Sequence, residues 1–224
     1  WFTEKWDAEV AMSRSDWFLA RLLTLSASEV PPEPVIEFHR QLGLPEDLVE
    51  VFRTAGYGNF AKGVYELPFG YRRIQDGDVE KFAGSDWRAM EGLGHAPEHI
   101  CHYSAEKGVL IAGDQVLPRI SPIIGVYPSE PDADPLTEYV TSLATFKSLP
   151  KDTLVLPAHG KPFYGLHERI DELIAHHDER CEILIEHCQT PMSVYETLPL
   201  LFKRPLKGQS IFMAMAEALA HAHK

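Results

Sequence analysis

Two histidines and one aspartate directly follow three separate apolar runs of the sequence. His95 lies in GHAPEH (residues 94–99), Asp114 follows the run VLIAG, and His159 lies in PAHG after LVL. Imidazole and carboxylate groups are typical ligands of divalent metal ions, and metal sites draw their ligands from distant parts of a chain. The pattern predicts a metal site with His95, Asp114 and His159 as ligands.

Each of these residues has an ordinary alternative explanation when it is considered alone. A loop histidine is commonly solvated, and an aspartate after a strand commonly forms a turn or caps a helix. The three together favour a site, because loops that follow strands carry the chemistry of open α/β sheets. His99, which closes the first motif, is predicted to support the ligands from behind.

The other histidines give no comparable pattern. His176 and His177 are adjacent in a predicted helix, where neighbouring side chains diverge by about 100°. His177 falls on the apolar stripe of that helix and is predicted to be a core residue. His221 and His223 would point about 200° apart on a helix, so this pair is not predicted to bind zinc.

Helical periodicity dominates both ends of the chain. A capping box at Ser13–Asp16 is expected to start a helix over 17–25, and two further helices are expected before Gly56. Another helix is predicted over 136–149. The clearest one spans 166–187, with an apolar stripe that continues through Ile185 to Cys188. Thr190-Pro191 is expected to cap the first helix of a small helical tail.

Short apolar runs separated by turn residues predict strands in the centre of the chain. Asp76-Gly77 predicts a hairpin between 71–74 and 79–82. Further strands are expected over 99–103, 109–112 and 153–156. Strands in the centre with helices on both sides indicate an α/β layered domain.

Composition restricts the partners and the compartment. The 224 residues carry a formal net charge of -12, which disfavours binding to nucleic acid phosphates. The three cysteines form no framework and indicate free thiols in a reducing cytoplasm, with Cys181 and Cys188 as small apolar fillers. The sequence has no apolar run of about 20 residues, so no membrane span is expected.

The three motifs, in this order and at these separations, resemble the metallo-β-lactamase superfamily of metal-dependent hydrolases. The resemblance implies a four-layer αβ/βα sandwich over residues 1–189. Residues 190–224 resemble part of the small winged-helix-like appendage of some members, which could support oligomers. Two departures occur in the first motif, where Ala96 replaces the usual Thr or Ser and Glu98 replaces a Gly.

The resemblance also implies residue roles. His95 would bind a first metal ion, Asp114 would bridge two ions as the central catalytic carboxylate, and His159 would bind the second. Zinc is the expected metal, and iron or manganese are alternatives. The expected reaction is hydrolysis of an ester, thioester or lactone carbonyl in a small-molecule substrate.

Members of this superfamily also carry a His-x-His-x-Asp-His motif, which this sequence does not contain. Residues 1–6 resemble the segment that follows that motif. The chain is therefore expected to be a fragment that lacks the first strands and half of the metal site, and to be inactive by itself.

Two other functions remain open at the level of sequence, namely a metal-free binding protein and a nuclease of the same fold. The fold class alone does not select a substrate. Loops are expected to set specificity, with candidates at 57–70, 118–135 and 163–164. Arg119 could contact an anionic substrate group, and Glu98 and Tyr164 are further substrate-side candidates.

Overall fold

The computed structural model describes residues 2–224, apart from the side chains of Phe2, Asn59 and Phe60. Trp1, the first residue of the segment compared above with superfamily members, lies outside the described residues. The chain forms two compact units, of which the first ends at Ile74 and the second comprises Gln75–Lys224. Helices and a mixed sheet make the protein α/β, as predicted.

The first unit is mostly helical. Its helices are α1 (Phe2–Trp6), α2 (Arg14–Leu25), α3 (Glu33–Gln41) and α4 (Glu46–Thr54), followed by a short 3₁₀ helix (Asn59–Lys62). Two short parallel strands, β1 (Ala11–Met12) and β2 (Arg72–Arg73), pair with each other.

The second unit contains a five-stranded sheet in the sequential order β3 to β7. Its strands are β3 (Val79–Phe82), β4 (Ser85–Gly92), β5 (His99–Ser104), β6 (Val109–Gly113) and β7 (Leu154–Pro157). The first four strands pair antiparallel, whereas β6 and β7 pair parallel. This topology gives β4, β6 and β7 the same direction.

The hairpin predicted at Asp76-Gly77 is wrong. Strand β2 pairs with β1, and β3 instead pairs with β4 across the tight turn at Ala83 and Gly84. Both turn residues have positive φ, at 49° and 74°, which matches the twist of a two-residue hairpin turn. Asp76 still has a local role, because its carboxylate accepts a hydrogen bond from the backbone of Glu91 in β4.

Four helices complete the second unit and form its core with the sheet. They are α5 (Pro135–Phe146), α6 (Leu166–His187), α7 (Val194–Leu201) and α8 (Gln209–His223). Helix α5 contacts β4, α6 and α8. Tyr139 and Phe146 of α5, Leu110 of β6 and Val155 of β7 are all fully buried.

Two predicted helix starts are corrected by the structure. Ser13 is the N-cap of α2, but its side chain makes no capping hydrogen bond. Helix α7 is capped by Ser193 rather than by Thr190-Pro191, and Ser193 forms a reciprocal capping box with Glu196. The box satisfies two backbone donors of the first turn at once.

A buried histidine pair joins α6 to α8. Nδ1 of His177 lies 3.0 Å from Nε2 of His221, and both side chains are buried. Burial lowers the pKa of His177 to about 3 and that of His221 to about 4, so both imidazoles are neutral near pH 7. His177 is therefore a core histidine, as predicted.

The domain boundary expected near residue 190 stays a prediction.

The apolar stripe of α6 is wrong at its C-terminal end. Leu166, Ile170 and Leu173 are buried, whereas Ile185 and Cys188 are exposed. All three cysteines are free thiols. Within the described residues, none of the helices combines the length and the apolar character needed to cross a bilayer.

Helix α6 offers a matched test of this packing. Leu173 is 1% exposed and Ile185 is 71% exposed on the same helix. We expect Leu173→Ala to lower the free energy of unfolding by about 2–5 kcal/mol, because it leaves a cavity in the core. Ile185→Ala should change it by less than about 0.5 kcal/mol. Chemical denaturation of both variants checks this, and equal losses would contradict the packing described here.

Candidate metal centre

The three predicted ligands lie at one end of the sheet in the second unit. His95 follows β4, Asp114 follows β6, and His159 follows β7. Because these three strands run in the same direction, their carboxyl ends meet at one edge of the sheet. Residues separated by up to 64 positions in the sequence are brought together in this way.

The carboxylate of Asp114 lies between the two imidazoles. Nε2 of His95 is 3.7 Å from Oδ2 of Asp114, and Nε2 of His159 is 3.5 Å from Oδ1. Metal–ligand bonds of about 2.1 Å in tetrahedral geometry place two ligands of one ion roughly 3.4 Å apart. Each carboxylate oxygen is therefore at a suitable distance from one imidazole to share a cation with it.

The parallel pairing of β6 with β7 positions Asp114 beside His159. The backbone N–H of Ala158 donates to the carbonyl of Gly113 across 2.8 Å. Asp114 directly follows Gly113 and His159 directly follows Ala158, so this hydrogen bond brings the two candidate ligands side by side. The register of the pair shifts between Ile111 and Gly113, directly before Asp114.

His95 is oriented by the loop over residues 121–127. Nδ1 of His95 lies 2.8 Å from the carbonyl oxygen of Ile123, which can only accept, so Nδ1 carries the proton. Nε2 then presents its lone pair toward Asp114, which is the state that binds a metal. The loop is itself anchored to α8, because Val126 N–H donates to the carbonyl of Ala216.

The imidazole of His99 contacts the backbone of Asp114, and its supporting role behind the ligands stays a prediction. The backbone N–H of Asp114 donates to Nε2 of His99 at 3.4 Å. The imidazole of His99 fills the space that a side chain at Gly113 would need, and Gly113 has a φ of +54°. Cys101 lies 3.6 Å from Nδ1 of His99, and burial raises the pKa of its thiol.

A buried polar network that the sequence did not reveal ties the loop of His95 to Asp114. Gln115, the next residue, donates from Nε2 to Oγ of Ser142 and to the carbonyl of Leu93. Leu93 N–H donates to the same Oγ, and the hydroxyl of Tyr139 donates to the carbonyl of Gln115. The signal in the sequence that could have indicated this network is the presence of two polar residues, Gln115 and Ser142, among apolar neighbours.

One oxygen of Asp114 shows that a cation would fit here. Oδ1 is buried and accepts no hydrogen bond within the described residues. A buried carboxylate oxygen without a donor is costly unless a cation compensates its charge. Among the described side chains, no three His, Cys, Asp or Glu residues form a ligand set for one ion. Each Asp114 oxygen has one imidazole, so each half of the centre offers two ligands, and their assignment stays a prediction.

The remaining predicted residues occupy different positions. Arg119 is exposed and lines a groove that also includes His159. Glu98 is half-buried at the turn before β5, and Tyr164 is largely exposed. Their roles in a reaction stay predictions. The segment 57–70, also a candidate for specificity, belongs to the first compact unit.

Two family models match this chain, over two separate ranges of residues. Residues 2–159 match the model of the metallo-beta-lactamase superfamily. Residues 181–224 match the model of the metallo-beta-lactamase-like C-terminal domain. The first match includes all three candidate ligands, and the second begins inside α6.

Known proteins with this fold are similar over part of their length. A beta-lactamase domain protein from Burkholderia ambifaria is 36% identical with a TM-score of 0.87, over 96% of this chain and 60% of that one. The probable metallo-hydrolase YqjP of Bacillus subtilis is 28% identical over 60% of this chain and 43% of its own length. Atrochrysone carboxyl ACP thioesterase AgnL7 of Paecilomyces divaricatus is 27% identical, over 59% and 44%. The chain thus spans less than half the length of these two curated relatives.

Ser142 provides a test of the network. We expect Ser142→Ala to lower the free energy of unfolding by about 1–3 kcal/mol, because the buried donors of Leu93 and Gln115 lose their acceptor. Ser148→Ala, a matched change at an exposed hydroxyl just after α5, should cost less than about 0.5 kcal/mol. Urea unfolding of both variants measures the difference, and indistinguishable midpoints would argue against the network.

The tautomer of His95 provides a second test. Long-range ¹H–¹⁵N NMR correlations at neutral pH should show the proton of His95 on Nδ1, because only that nitrogen faces the carbonyl of Ile123. His159, whose ring makes no hydrogen bond within the described residues, is the internal control and should show no single fixed tautomer. A proton on Nε2 of His95 would show that this nitrogen is not available as a ligand.

Proposed function

The chain belongs to the metallo-β-lactamase superfamily, and we propose that the protein is a metal-dependent hydrolase that cleaves a carboxylic ester or thioester. The observation that carries this proposal is the position of Asp114 between two imidazoles, with one histidine at each carboxylate oxygen. In that arrangement Asp114 would hold divalent cations together with His95 on one side and His159 on the other.

The donor set favours zinc. Two neutral imidazole nitrogens and a carboxylate are common zinc ligands, and they also suit iron or manganese. Bound divalent ions would supply a water of lowered pKa and an acceptor for the negative charge that develops on a carbonyl oxygen. The protein contributes the orientation of its ligands, through Ile123 for His95 and through His99 for Asp114.

Asp114 also determines the charge of the centre. Among the described residues, its carboxylate is the acidic group that lies near both imidazoles, and 29% of its side chain remains exposed to solvent. The exposed face leaves room for a substrate, whereas the buried Oδ1 is held for a cation. His159 is 68% exposed, so the centre is open on that side.

The substrate class is proposed from the relatives together with the charge. One relative is named as a thioesterase and another as a probable metallo-hydrolase. A net charge of -12 repels phosphodiester polymers, which favours a small carbonyl substrate over nucleic acid. We therefore propose thioesters and simple esters as the substrates of the protein.

Asp114→Asn tests the proposal. The change keeps the shape of the side chain but removes the charge, so we expect zinc affinity to fall at least roughly tenfold. Isothermal titration with zinc measures this in the chain. Hydrolysis of a short-chain acyl thioester by the whole natural protein should fall in parallel. Asp152→Asn, in the turn before β7 at the opposite end of the sheet, is the matched control and should change neither quantity.

The two readouts separate the alternatives. Full zinc affinity and full activity in Asp114→Asn would refute the assignment of Asp114. Zinc binding that depends on Asp114 without metal-dependent hydrolysis of any ester or thioester would instead favour a binding protein with this fold.

A further inference from the structure

A groove of about 590 Å³ lies between the loops that follow β6 and β7. Its wall on one side is formed by Pro118, Arg119 and Ile120, and on the other side by Lys161 and Phe163 beside His159. The volume falls within the range of small-molecule sites in proteins. Because His159 lines the groove, a molecule held there would lie beside this candidate ligand.

The first wall of the groove is held from behind. Arg169 of α6 donates to the carbonyl oxygens of Leu117 and Ile120, at 2.6 Å and 3.0 Å. This places the guanidinium across the loop that carries Arg119. Since the loop is already ordered, a ligand would bind without the cost of arranging it.

The second wall is equally constrained. Phe163 exchanges two backbone hydrogen bonds with Val155 of β7, at 2.8 Å and 3.0 Å. Gly160 has a φ of +92°, and a Cβ at this position would come within 2.7 Å of Pro118. The two loops therefore approach each other closely only because residue 160 is a glycine.

Two cations of the groove lack an acidic partner. Arg119 and Lys161 are both exposed, and neither makes an ion pair within the described residues. The chain has 33 acidic and 21 basic side chains, and the half-buried Arg40 and Arg53 are each paired with a glutamate. Two unpaired cations on opposite walls of one groove in an acidic protein make a local attraction for an anion.

Apolar surface accompanies these cations. Ile120 is 60% exposed although it lies in a concave wall, and Phe163 lines the groove on the other side. A hydrocarbon segment would remove this surface from water. The groove thus presents an apolar surface together with positive charge.

We propose that the groove binds an amphiphilic anionic ligand, with its hydrocarbon segment along Ile120 and Phe163 and its carboxylate or phosphate at Arg119 and Lys161. This proposal rests on the function proposed above. If both hold, the substrates are acyl esters or thioesters that carry an anionic group. The arginine suits a planar or tetrahedral oxyanion, and the lysine adds a mobile charge.

The experiment measures binding rather than catalysis. Metal-stripped protein is titrated with octyl phosphate, octanoate and neutral 1-octanol by calorimetry. We expect Arg119→Ala and Lys161→Ala each to weaken the binding of at least one anion roughly tenfold, because a charged hydrogen bond is lost. Binding of 1-octanol should not change. Lys107→Ala, in the turn between β5 and β6 at the other end of the sheet, is the matched control and should leave all affinities unchanged.

The measured affinities distinguish the possible results. A preference for octyl phosphate or for octanoate identifies the anion and supports the proposal. Equal affinity for 1-octanol, or equal effects of Lys107→Ala and Lys161→Ala, would overturn it. Because no metal or turnover is involved, groove binding without hydrolysis would refute only the hydrolase function, and hydrolysis without groove binding would refute only this inference.

Discussion

The buried oxygen of Asp114 is the constraint on which the centre depends. A carboxylate oxygen that is removed from water and receives no hydrogen bond within the described residues is expensive to maintain. The protein nevertheless holds it in place, with an imidazole on each side of the carboxylate and a third imidazole behind its backbone. A buried carboxylate oxygen between two imidazoles is an arrangement that a cation would stabilise.

Strand direction provides that arrangement, and side-chain hydrogen bonds refine it. Parallel ends of β4, β6 and β7 bring the three loops together, but strand ends alone leave loops free to move by several ångströms. Gln115 and Ser142 remove that freedom by tying the loop after β4 to the loop after β6. The carbonyl of Ile123 then selects the tautomer of His95. The centre is thus positioned by buried polar groups that need not contact a substrate.

The same two loops that carry Asp114 and His159 continue into the walls of the groove. A substrate bound between Arg119 and Lys161 would therefore be aligned with the centre by the same backbone that positions the candidate ligands. Arg169 links this region to α6, so packing of the long helix contributes to the shape of the groove. The groove and the candidate centre are in this way connected by short stretches of chain.

Residue patterns along the chain predicted the α/β class, the long helix over 166–187 and the three candidate ligands, because helical periodicity and residue types after apolar runs are local signals. The pairing of the β-strands, in contrast, could not be read from neighbouring residues. The turn residues Asp76-Gly77 suggested a hairpin, yet β2 pairs with β1, since partners compete across the whole chain. The fold was needed to show that Asp114 lies between two imidazoles. It was also needed to show that Gln115, Ser142 and the carbonyl of Ile123 hold the loops around this centre. Such contacts depend on distances between segments that are remote in sequence, and no spacing along the chain encodes them.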